Sequence, residues 1–381
     1  MTDTDRSPSR GSGDSTRAPR EQSRGITRRD VLKRAALAGT LAGAVPFLAE
    51  ACTGSNTASA QGGVGDYPKT PTYNFVFVNH VTTNPFFVPT RYGIEDANAL
   101  YNCSYQWTGS ETSKVSEMVN AMNSAVDRGV DGIAVAIVDP KAFNDPINRA
   151  YAKGIPVVAY NANGKGTGTN PALAYVGQDL FQAGFQMGQR IVDLVGSGLV
   201  GLFIATPGQL NIQPRIEGAA SAIKQSGANI TYKEIATGAE VPRELSTIDA
   251  WYQGHKDVKG MFAVDGGSTQ SVGQVMDKYG LHDKGVKGGG FDLLPRTLEL
   301  IKKGAMDFTI DQQPYLQGFI PVEQLFIWHI TGGLLSPSTT NTGLKFVTQD
   351  NVDPYLTTKS RYEGSAESQQ LIQAPSTITT A

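Results

Sequence analysis

Polar and aromatic residues follow the apolar runs of this sequence, at the points where strands are predicted to end. The eight candidates are Asn84, Phe86, Phe87, Asn161, Arg215, Asp265, Asp292 and Gln312. Amides donate to and accept from hydroxyl groups, carboxylates accept from them, an arginine spans two acceptors, and a phenyl face covers the C–H face of a ring. The set therefore suits a polyhydroxyl ligand such as a sugar.

The runs that precede these residues lack the period-two alternation of half-exposed strands, so they indicate strands buried on both faces of a sheet. They span residues 75–78, 132–138, 155–160, 200–205, 260–264 and 288–291. Amphipathic stretches at 113–128, 181–195 and 215–225 are typical of covering helices. Ligand sites in such sheets form at the carboxyl ends of the strands. The alternation predicts an α/β fold with two three-layer α/β/α units and parallel sheets.

Several candidates have an alternative structural role. The two phenylalanines could be core aromatics, Arg215 a solvated residue of a first helical turn, and Asn161 a turn residue. Asp265 and Asp292 could each cap the helix that follows, although capping does not exclude contact with a ligand.

Composition limits the classes of protein. A chain of 381 residues exceeds what one hydrophobic core usually supports, which favours about two domains. The net charge of -2 gives no reason to expect nucleic acid as a partner. The four histidines are scattered without metal-ligand spacing, so we expect neither a metal nor a cofactor. The carboxylates of Asp265 and Asp292 are the one pair that a glycosidase could use. Their neighbour Arg215 favours hydrogen-bond acceptance instead, so we expect no enzyme.

The first 52 residues predict export. Residues 1–25 are polar and basic and are expected to be disordered. The weakly apolar run at 35–48 is about half of what crosses a bilayer, so it indicates a signal rather than a membrane anchor. Arg28 and Arg29, followed by Val-Leu-Lys at 31–33, resemble the twin-arginine export signal. An ordinary basic signal region is the alternative, and either places the protein outside the cytoplasm.

Cys52 ends this signal and resembles the lipid-bearing first residue of a bacterial lipoprotein. The match departs from the pattern because Leu48 lies four residues before the cysteine rather than three. The Ala-x-Ala sequences at 49–51 and 58–60 would serve as cleavage sites of a freely secreted protein. We expect a lipid anchor at Cys52. Cys103 is the only other cysteine, so no internal disulfide is expected.

From about Thr72 to Val347 the sequence resembles the periplasmic sugar-binding proteins of ABC importers, in the ribose-binding branch. These proteins have the type I periplasmic binding fold, which the lac-repressor ligand core shares. The motifs that carry the resemblance are NPFF at 84–87, IPVVAYNAN at 155–163, RIEGAASAI at 215–223, MFAVD at 261–265, GGFDLLP at 289–295 and FTIDQQP at 308–314. The resemblance implies that all eight candidates contact a sugar.

One departure from the family bears on the ligand. The family places an Asp-Arg pair where Asn161 and Ala162 stand here, so the ribose contacts do not transfer whole. We therefore expect a different sugar, furanose or polyol, with a bulkier or less hydroxylated edge toward Ala162. The aromatic residue that the family places after the strand near 231–236 is also missing, since Ala-Glu-Val stands at 239–241.

The resemblance also implies two lobes that close over the ligand by hinge motion. The predicted division has a leader at 1–52, a flexible tether at 53–71, an N-terminal lobe at 72–177 plus 313–341, a C-terminal lobe at 178–312 plus 342–360, and a tail at 361–381. We expect a monomer whose closed form is recognised by a membrane ABC permease. A receptor for a small cyclic diol of the autoinducer-2 type is the alternative, because residues 109–140 also resemble that branch.

Overall fold

The structure is a computed structural model that describes residues 70–164, 168–335 and 337–357. The predicted leader with Cys52, nearly all of the tether, and the tail lie outside these residues. Among the helices of the described ranges, none combines the length and the apolar character needed to span a bilayer.

Strands and helices alternate along the chain, as predicted. The strands are β1 (Asn74–Asn79), β2 (Ser104–Gly109), β3 (Gly132–Ile137), β4 (Val157–Asn163), β5 (Tyr175–Gly177), β6 (Gly198–Ile204), β7 (Ile230–Ala236), β8 (Gly260–Ala263), β9 (Lys287–Phe291), β10 (Phe308–Asp311), β11 (Thr339–Asn341) and β12 (Lys345–Val347). The helices are α1 (Val88–Tyr101), α2 (Val115–Arg128), α3 (Asn144–Ala152), α4 (Leu180–Val195), α5 (Gln213–Ser226), α6 (Val241–Gly254), α7 (Gly266–Tyr279), α8 (Pro295–Lys302), α9 (Pro314–Thr331) and α10 (Asp353–Thr357).

The strands form two six-stranded sheets. The first has the order β11-β5-β4-β3-β1-β2 and is parallel throughout. The second has the order β12-β10-β9-β8-β6-β7 and is parallel except for β12, which runs antiparallel to β10. We call the first sheet with α1, α2, α3 and α9 the first lobe, and the second sheet with the other helices the second lobe. The predicted α/β fold is confirmed.

Burial explains why these segments form strands and helices. Every residue of β3 and β4 is buried, as expected for strands covered on both faces. On α2 the apolar stripe predicted from the sequence faces the core through Met118, Met122 and Ala125. Helices pack in pairs, with α1 against α9 in the first lobe and α4 against α5 in the second. The first lobe has one cluster of buried apolar residues and the second lobe has two.

The chain passes between the two sheets three times. It leaves the first sheet after β5, returns to the first lobe after β10 through α9, and leaves it again between β11 and β12. Residue 312 thus lies at the end of a strand of the second sheet, directly before the helix that belongs to the first lobe.

Candidate functional site

All eight predicted residues line one cavity between the lobes. The remaining lining residues are His80, Val81, Asn211, Ile212 and Gly266. The cavity volume is about 50 Å³. The lining residues come from the carboxyl ends of strands and the first turns of helices in both lobes, which is where a doubly wound sheet places its ligands. The eight residues predicted from the sequence are therefore neighbours in the folded protein.

The Asn-Pro-Phe-Phe segment forms a short 3₁₀ turn between β1 and α1. The Asn84 Oδ1 atom accepts a hydrogen bond from the Phe86 amide over 2.9 Å and so caps the turn. The rings of Phe86 and Phe87 meet edge to face, with centroids 4.7 Å apart. Phe87 is 3% exposed and also packs on Trp107. It is both a core aromatic and a wall of the cavity, so the two interpretations from the sequence apply together.

Asn161 adopts a left-handed backbone conformation with φ of 60°. It lies where the β3–β4 register shifts, inside β4 rather than after it, so the predicted strand end at 160 is wrong by three residues. Its Nδ2 atom donates to Gln317 Oε1 over 3.0 Å. A non-glycine residue rarely adopts this conformation unless its surroundings impose it. The side chain of Asn161, the residue in this conformation, borders the cavity.

Ala162 does not border the cavity. Its side chain is fully buried in the hydrophobic core of the first lobe. The expectation that a bulky edge of the ligand faces Ala162 is therefore wrong. The physical reason is the bulge in β4, which assigns Asn161 to the cavity and the next side chain to the core.

Arg215 is buried rather than solvated, with 2% of its surface exposed. Its Nη1 atom donates to the Val264 carbonyl over 2.8 Å and its Nη2 atom to Gln178 Oε1 over 2.9 Å. The guanidinium lies 4.0 Å above the centre of the Phe291 ring. Burial lowers the pKa of Arg215, while Asp292 acts in the opposite direction. The Nε atom has no hydrogen-bond partner in the described residues and lies on a side chain that lines the cavity.

The close approach of α4 to α5 positions Arg215. A Cβ atom placed on Gly184 of α4 would come within 2.1 Å of the Arg215 carbonyl oxygen. Only glycine at this position lets the two helix backbones touch. The arginine is therefore fixed by packing as well as by its hydrogen bonds.

Asp265 caps α7, as one of the sequence alternatives proposed, and also lines the cavity. Its two carboxylate oxygens accept from the amides of Ser268 and Ala205, each over 2.9 Å. Beside it lies the buried carboxyl of Glu244. Burial first and the neighbouring Asp265 second raise the pKa of Glu244 far above its usual value. Burial raises the pKa of Asp265 as well, so the two neighbouring carboxyls favour a shared proton through which one can donate to the other.

Asp292 follows β9 and also has a left-handed backbone, with φ of 78°. Burial raises the pKa of its carboxyl to about 6, although Arg215 and a bond from Gln312 lower it. The alternative that Asp292 caps the next helix is wrong, because Leu294 stands at that position and no side chain caps it.

A chain of amides connects the two lobes beneath the cavity. Gln317 of α9 accepts from Asn161 and donates to the carbonyl and Oε1 oxygens of Gln312, at 3.0 and 3.1 Å. Gln312 Nε2 in turn donates to Asp292 Oδ1 over 2.6 Å. The sequence offered no signal for Gln317, since it lies inside the first turn of α9 and meets Asn161 only through the fold.

His80 and Asn211 are cavity residues that the site prediction omitted. They face each other from opposite lobes, with His80 Nε2 and Asn211 Nδ2 3.0 Å apart. Each comes from a segment that follows a strand, β1 and β6 respectively, so their positions carried the same signal as the chosen candidates. Among the residues that the structure describes, no cluster of side chains could hold a metal ion.

A larger cleft, with a volume of about 620 Å³, lies between other residues of the two lobes. The cleft is lined by Tyr175, Gln178, Phe181 and Glu217, among others. None of the eight predicted residues lines this cleft.

A family model described as "Periplasmic binding protein domain" matches residues 75–327. The chain belongs to the periplasmic binding protein family. A xylose/arabinose-binding protein of Sulfolobus acidocaldarius is 50% identical over 314 residues, which cover 79% of this chain and 77% of the relative.

Solved structures agree with the type I periplasmic binding fold predicted for this family member. An ABC transporter solute-binding protein from Burkholderia graminis, in complex with D-arabinose, matches with a TM-score of 0.70 and 26% identity. The match covers 76% of this chain and 99% of that one. A carbohydrate transporter from Acidothermus cellulolyticus, in complex with myo-inositol, matches with a TM-score of 0.68 and 26% identity, over 77% and 100% of the two chains. The predicted type I fold is confirmed.

Proposed function

We propose that the protein is an extracytoplasmic solute-binding protein that holds a pentose, or a related sugar or polyol, between its lobes and delivers it to an ABC importer. The observation that carries the proposal is the convergence of the eight predicted residues on one interlobe cavity. The relative at 50% identity is a xylose/arabinose-binding protein, and the two solved neighbours hold D-arabinose and myo-inositol.

The chemistry of the cavity supports a neutral polyhydroxyl ligand. Two acidic side chains, Asp265 and Asp292, accept hydrogen bonds, and Arg215 donates them. Phe86 also lines the cavity and adds an aromatic surface. Two acids stand against one arginine, so the cavity has no excess of positive charge that would favour an anionic ligand.

Contacts between the lobes support entry and release by hinge motion. The Leu210 amide donates to the Val138 carbonyl over 2.8 Å. Gln209 Nε2 donates to the Ser113 carbonyl over 2.8 Å, and Ser113 Oγ donates to Gln209 Oε1 over 2.5 Å. These bonds join the two lobes, and a ligand enters the cavity when they part. The permease would recognise the closed arrangement.

The family consists of solute-binding proteins, which supports a non-enzymatic role. The alternative of a receptor for a cyclic diol signal gains no support from the relatives named above, whose ligands are sugars and myo-inositol. We therefore keep the sugar as the cargo.

The proposed location rests on the sequence alone. We propose export through the twin-arginine-type signal and anchoring by lipid at Cys52, which would hold the binding lobes outside the cytoplasmic membrane as a monomer. A tethered binding protein would stay close to its permease.

A sugar panel tests the proposed function. The mature protein should be titrated calorimetrically with D-xylose, L-arabinose, D-arabinose, D-ribose and myo-inositol. A cognate sugar at a hundred times its Kd should also add about 2.7 kcal/mol to the free energy of unfolding. Micromolar or tighter binding of one pentose is expected. Absence of heat and of stabilisation with every member of the panel would remove the proposal.

A further inference from the structure

We propose that Gln178 is a positioning residue that orients the Arg215 guanidinium for binding the ligand. The inference rests on the proposed function and deepens it, because it identifies a residue that controls affinity without touching the sugar. Gln178 does not line the cavity, whereas Arg215 does. Its effect on the ligand is therefore exerted through the arginine.

Gln178 lies on the first of the three segments that pass between the lobes, which we call crossings. It stands between β5, which ends at Gly177, and α4, which begins at Leu180. The residue is 1% exposed, so its side chain is enclosed by protein. A crossing is where the backbone angles change when two lobes move. A side chain held by Gln178 is thus held from the hinge and not only from its own lobe.

Both ends of the Gln178 amide make a hydrogen bond. Its Oε1 atom accepts from Arg215 Nη2 over 2.9 Å, and its Nε2 atom donates to the Gly343 carbonyl over 3.1 Å. Gly343 lies between β11 and β12, on the last crossing. A reversed amide would put N–H groups against the guanidinium and an oxygen against a carbonyl, so only this orientation satisfies both partners. Gln178 therefore connects Arg215 to two of the three crossings.

Neighbouring contacts hold Gln178 in place. The Tyr175 hydroxyl donates to the Gln178 carbonyl over 2.9 Å, and the Thr342 amide donates to the Gly177 carbonyl over 3.0 Å. A Cβ atom on Gly177 would lie 2.2 Å from the Tyr175 hydroxyl oxygen, so a larger residue there would displace the ring. The first crossing is therefore fixed against the last, and the Gln178 side chain has a defined position from which to bind the arginine.

The bond to Gln178 completes the set of contacts that orient Arg215. Nη1 donates to the Val264 carbonyl over 2.8 Å, and the guanidinium lies 4.0 Å above the centre of the Phe291 ring. A stacked ring sets the plane of a guanidinium, and one hydrogen bond leaves the group free to pivot within that plane. A second bond stops the pivot. Gln178 therefore sets the directions of the N–H groups that remain for the ligand.

The neutrality of Gln178 leaves the charge of Arg215 to the ligand. None of the ion pairs among the residues that the structure describes includes Arg215. A carboxylate at position 178 would form a charge-assisted bond with the guanidinium and compete with the hydroxyl groups of a sugar. A glutamine fixes the direction of the arginine without this competition.

A cycle of two substitutions tests the proposal. Dissociation constants should be measured calorimetrically, with the sugar of the panel that binds most tightly, for wild type, Gln178→Met, Arg215→Ala and the double variant. Methionine is similar in length to glutamine but makes neither bond. We expect Gln178→Met to raise Kd about tenfold, because the misdirected arginine loses part of its bonding to the ligand. In the Arg215→Ala background the same substitution should change Kd by less than about twofold.

Gln324→Met is the matched control. Gln324 is also a buried glutamine, and its Nε2 atom donates to the Pro337 carbonyl over 3.1 Å. It does not line the cavity, and its hydrogen bond does not involve Arg215. We expect both methionine variants to unfold at lower urea concentration than wild type. Only Gln178→Met should also lose affinity, whereas Gln324→Met should keep Kd within about twofold of wild type.

Three results would overturn the proposal. Gln178→Met could bind as tightly as wild type, it could raise Kd by the same factor with and without Arg215, or Gln324→Met could lose as much affinity. Gln178→Asn, which keeps an amide but is one methylene shorter, replaces Gln178→Met if the latter does not fold. Wild type that binds no sugar of the panel overturns the proposed function and this inference with it, so the two failures are distinguishable.

Discussion

The Gln312 amide donates to the Asp292 carboxylate over 2.6 Å, directly before the chain leaves the second lobe for α9. A ligand that bonds to Asp292 therefore acts on the segment that connects the lobes. The same glutamine accepts from Gln317 of the first lobe, so the cavity and the crossing share one hydrogen-bond network. If the ligand bonds to Asp292 as proposed, ligand binding and lobe orientation are physically linked at this point.

The raised pKa of Asp292 predicts that the affinity for the ligand falls at acidic pH. Burial raises the pKa of its carboxyl to about 6, with Arg215 opposing and Asp265 and Asp311 reinforcing the shift. Below this pH the ligand meets a protonated acid, and an ionised acceptor binds hydroxyls more strongly. We expect Kd to be about tenfold higher at pH 5 than at pH 7, with proton release on binding at pH 5. Calorimetry in two buffers of different ionisation enthalpy measures both.

The matched variant for this test is Asp292→Asn. It should bind more weakly at pH 7 and lose most of the pH dependence between 5 and 7. An unchanged slope in the variant would assign the titration to another group of the cavity.

Arg215→Ala should weaken ligand binding by about 2–4 kcal/mol, or about thirty- to a thousandfold, because it removes charge-assisted bonds and leaves ligand hydroxyls unpaired. Arg215→Lys should not restore affinity, since one ammonium group cannot replace a guanidinium that also donates to the Val264 carbonyl and to Gln178 Oε1. Arg296→Ala, on the surface of the same lobe, is the control and should bind normally. Calorimetric titration with the tightest sugar measures each, and equal affinity for Arg215→Ala and wild type would exclude Arg215 from the site.

The contact between Glu244 and Asp265 predicts different effects for two substitutions of Glu244. A protonated carboxyl can donate to Asp265, and Glu244→Gln keeps a neutral donor of the same length. We expect Glu244→Gln to bind sugar within about threefold of wild type, whereas Glu244→Leu should lose about 1–3 kcal/mol because it leaves Asp265 short of a partner. Sugar titrations and urea unfolding measure the two effects. Similar losses in both variants would mean that shape, rather than the donated proton, matters at this position.

Cys52 predicts where the protein is found. If the cysteine carries lipid, wild type should partition into detergent and Cys52→Ala should be released, since each buried methylene contributes about 0.8 kcal/mol to membrane binding. Fractionation of expressing cells followed by immunoblotting checks this. Wild-type protein recovered wholly from the medium would favour cleavage at one of the Ala-x-Ala sites.

The sequence predicted the fold and the cavity walls because both depend on local patterns. Strands buried on both faces are uniformly apolar, and the residue after such a strand lies at the ligand edge. The β12 strand was missed because its three residues carry no pattern. The role of Ala162 was mistaken because nothing in an Asn-Ala pair reveals a left-handed residue. Glu244 was missed because its contact with Asp265 depends on how α6 meets α7. That ribose is not the preferred sugar stays a prediction.

The left-handed backbones of Asn161 and Asp292 lower the stability of the folded protein, while their side chains line the proposed ligand site. Each non-glycine residue in such a conformation costs about 1–3 kcal/mol, and glycine would remove most of that cost. A laboratory selection for survival at high temperature, carried out without sugar, should therefore enrich glycine at both positions. The surviving variants should be more stable to heat but should no longer bind the sugar. Selection in the presence of sugar should instead keep both side chains.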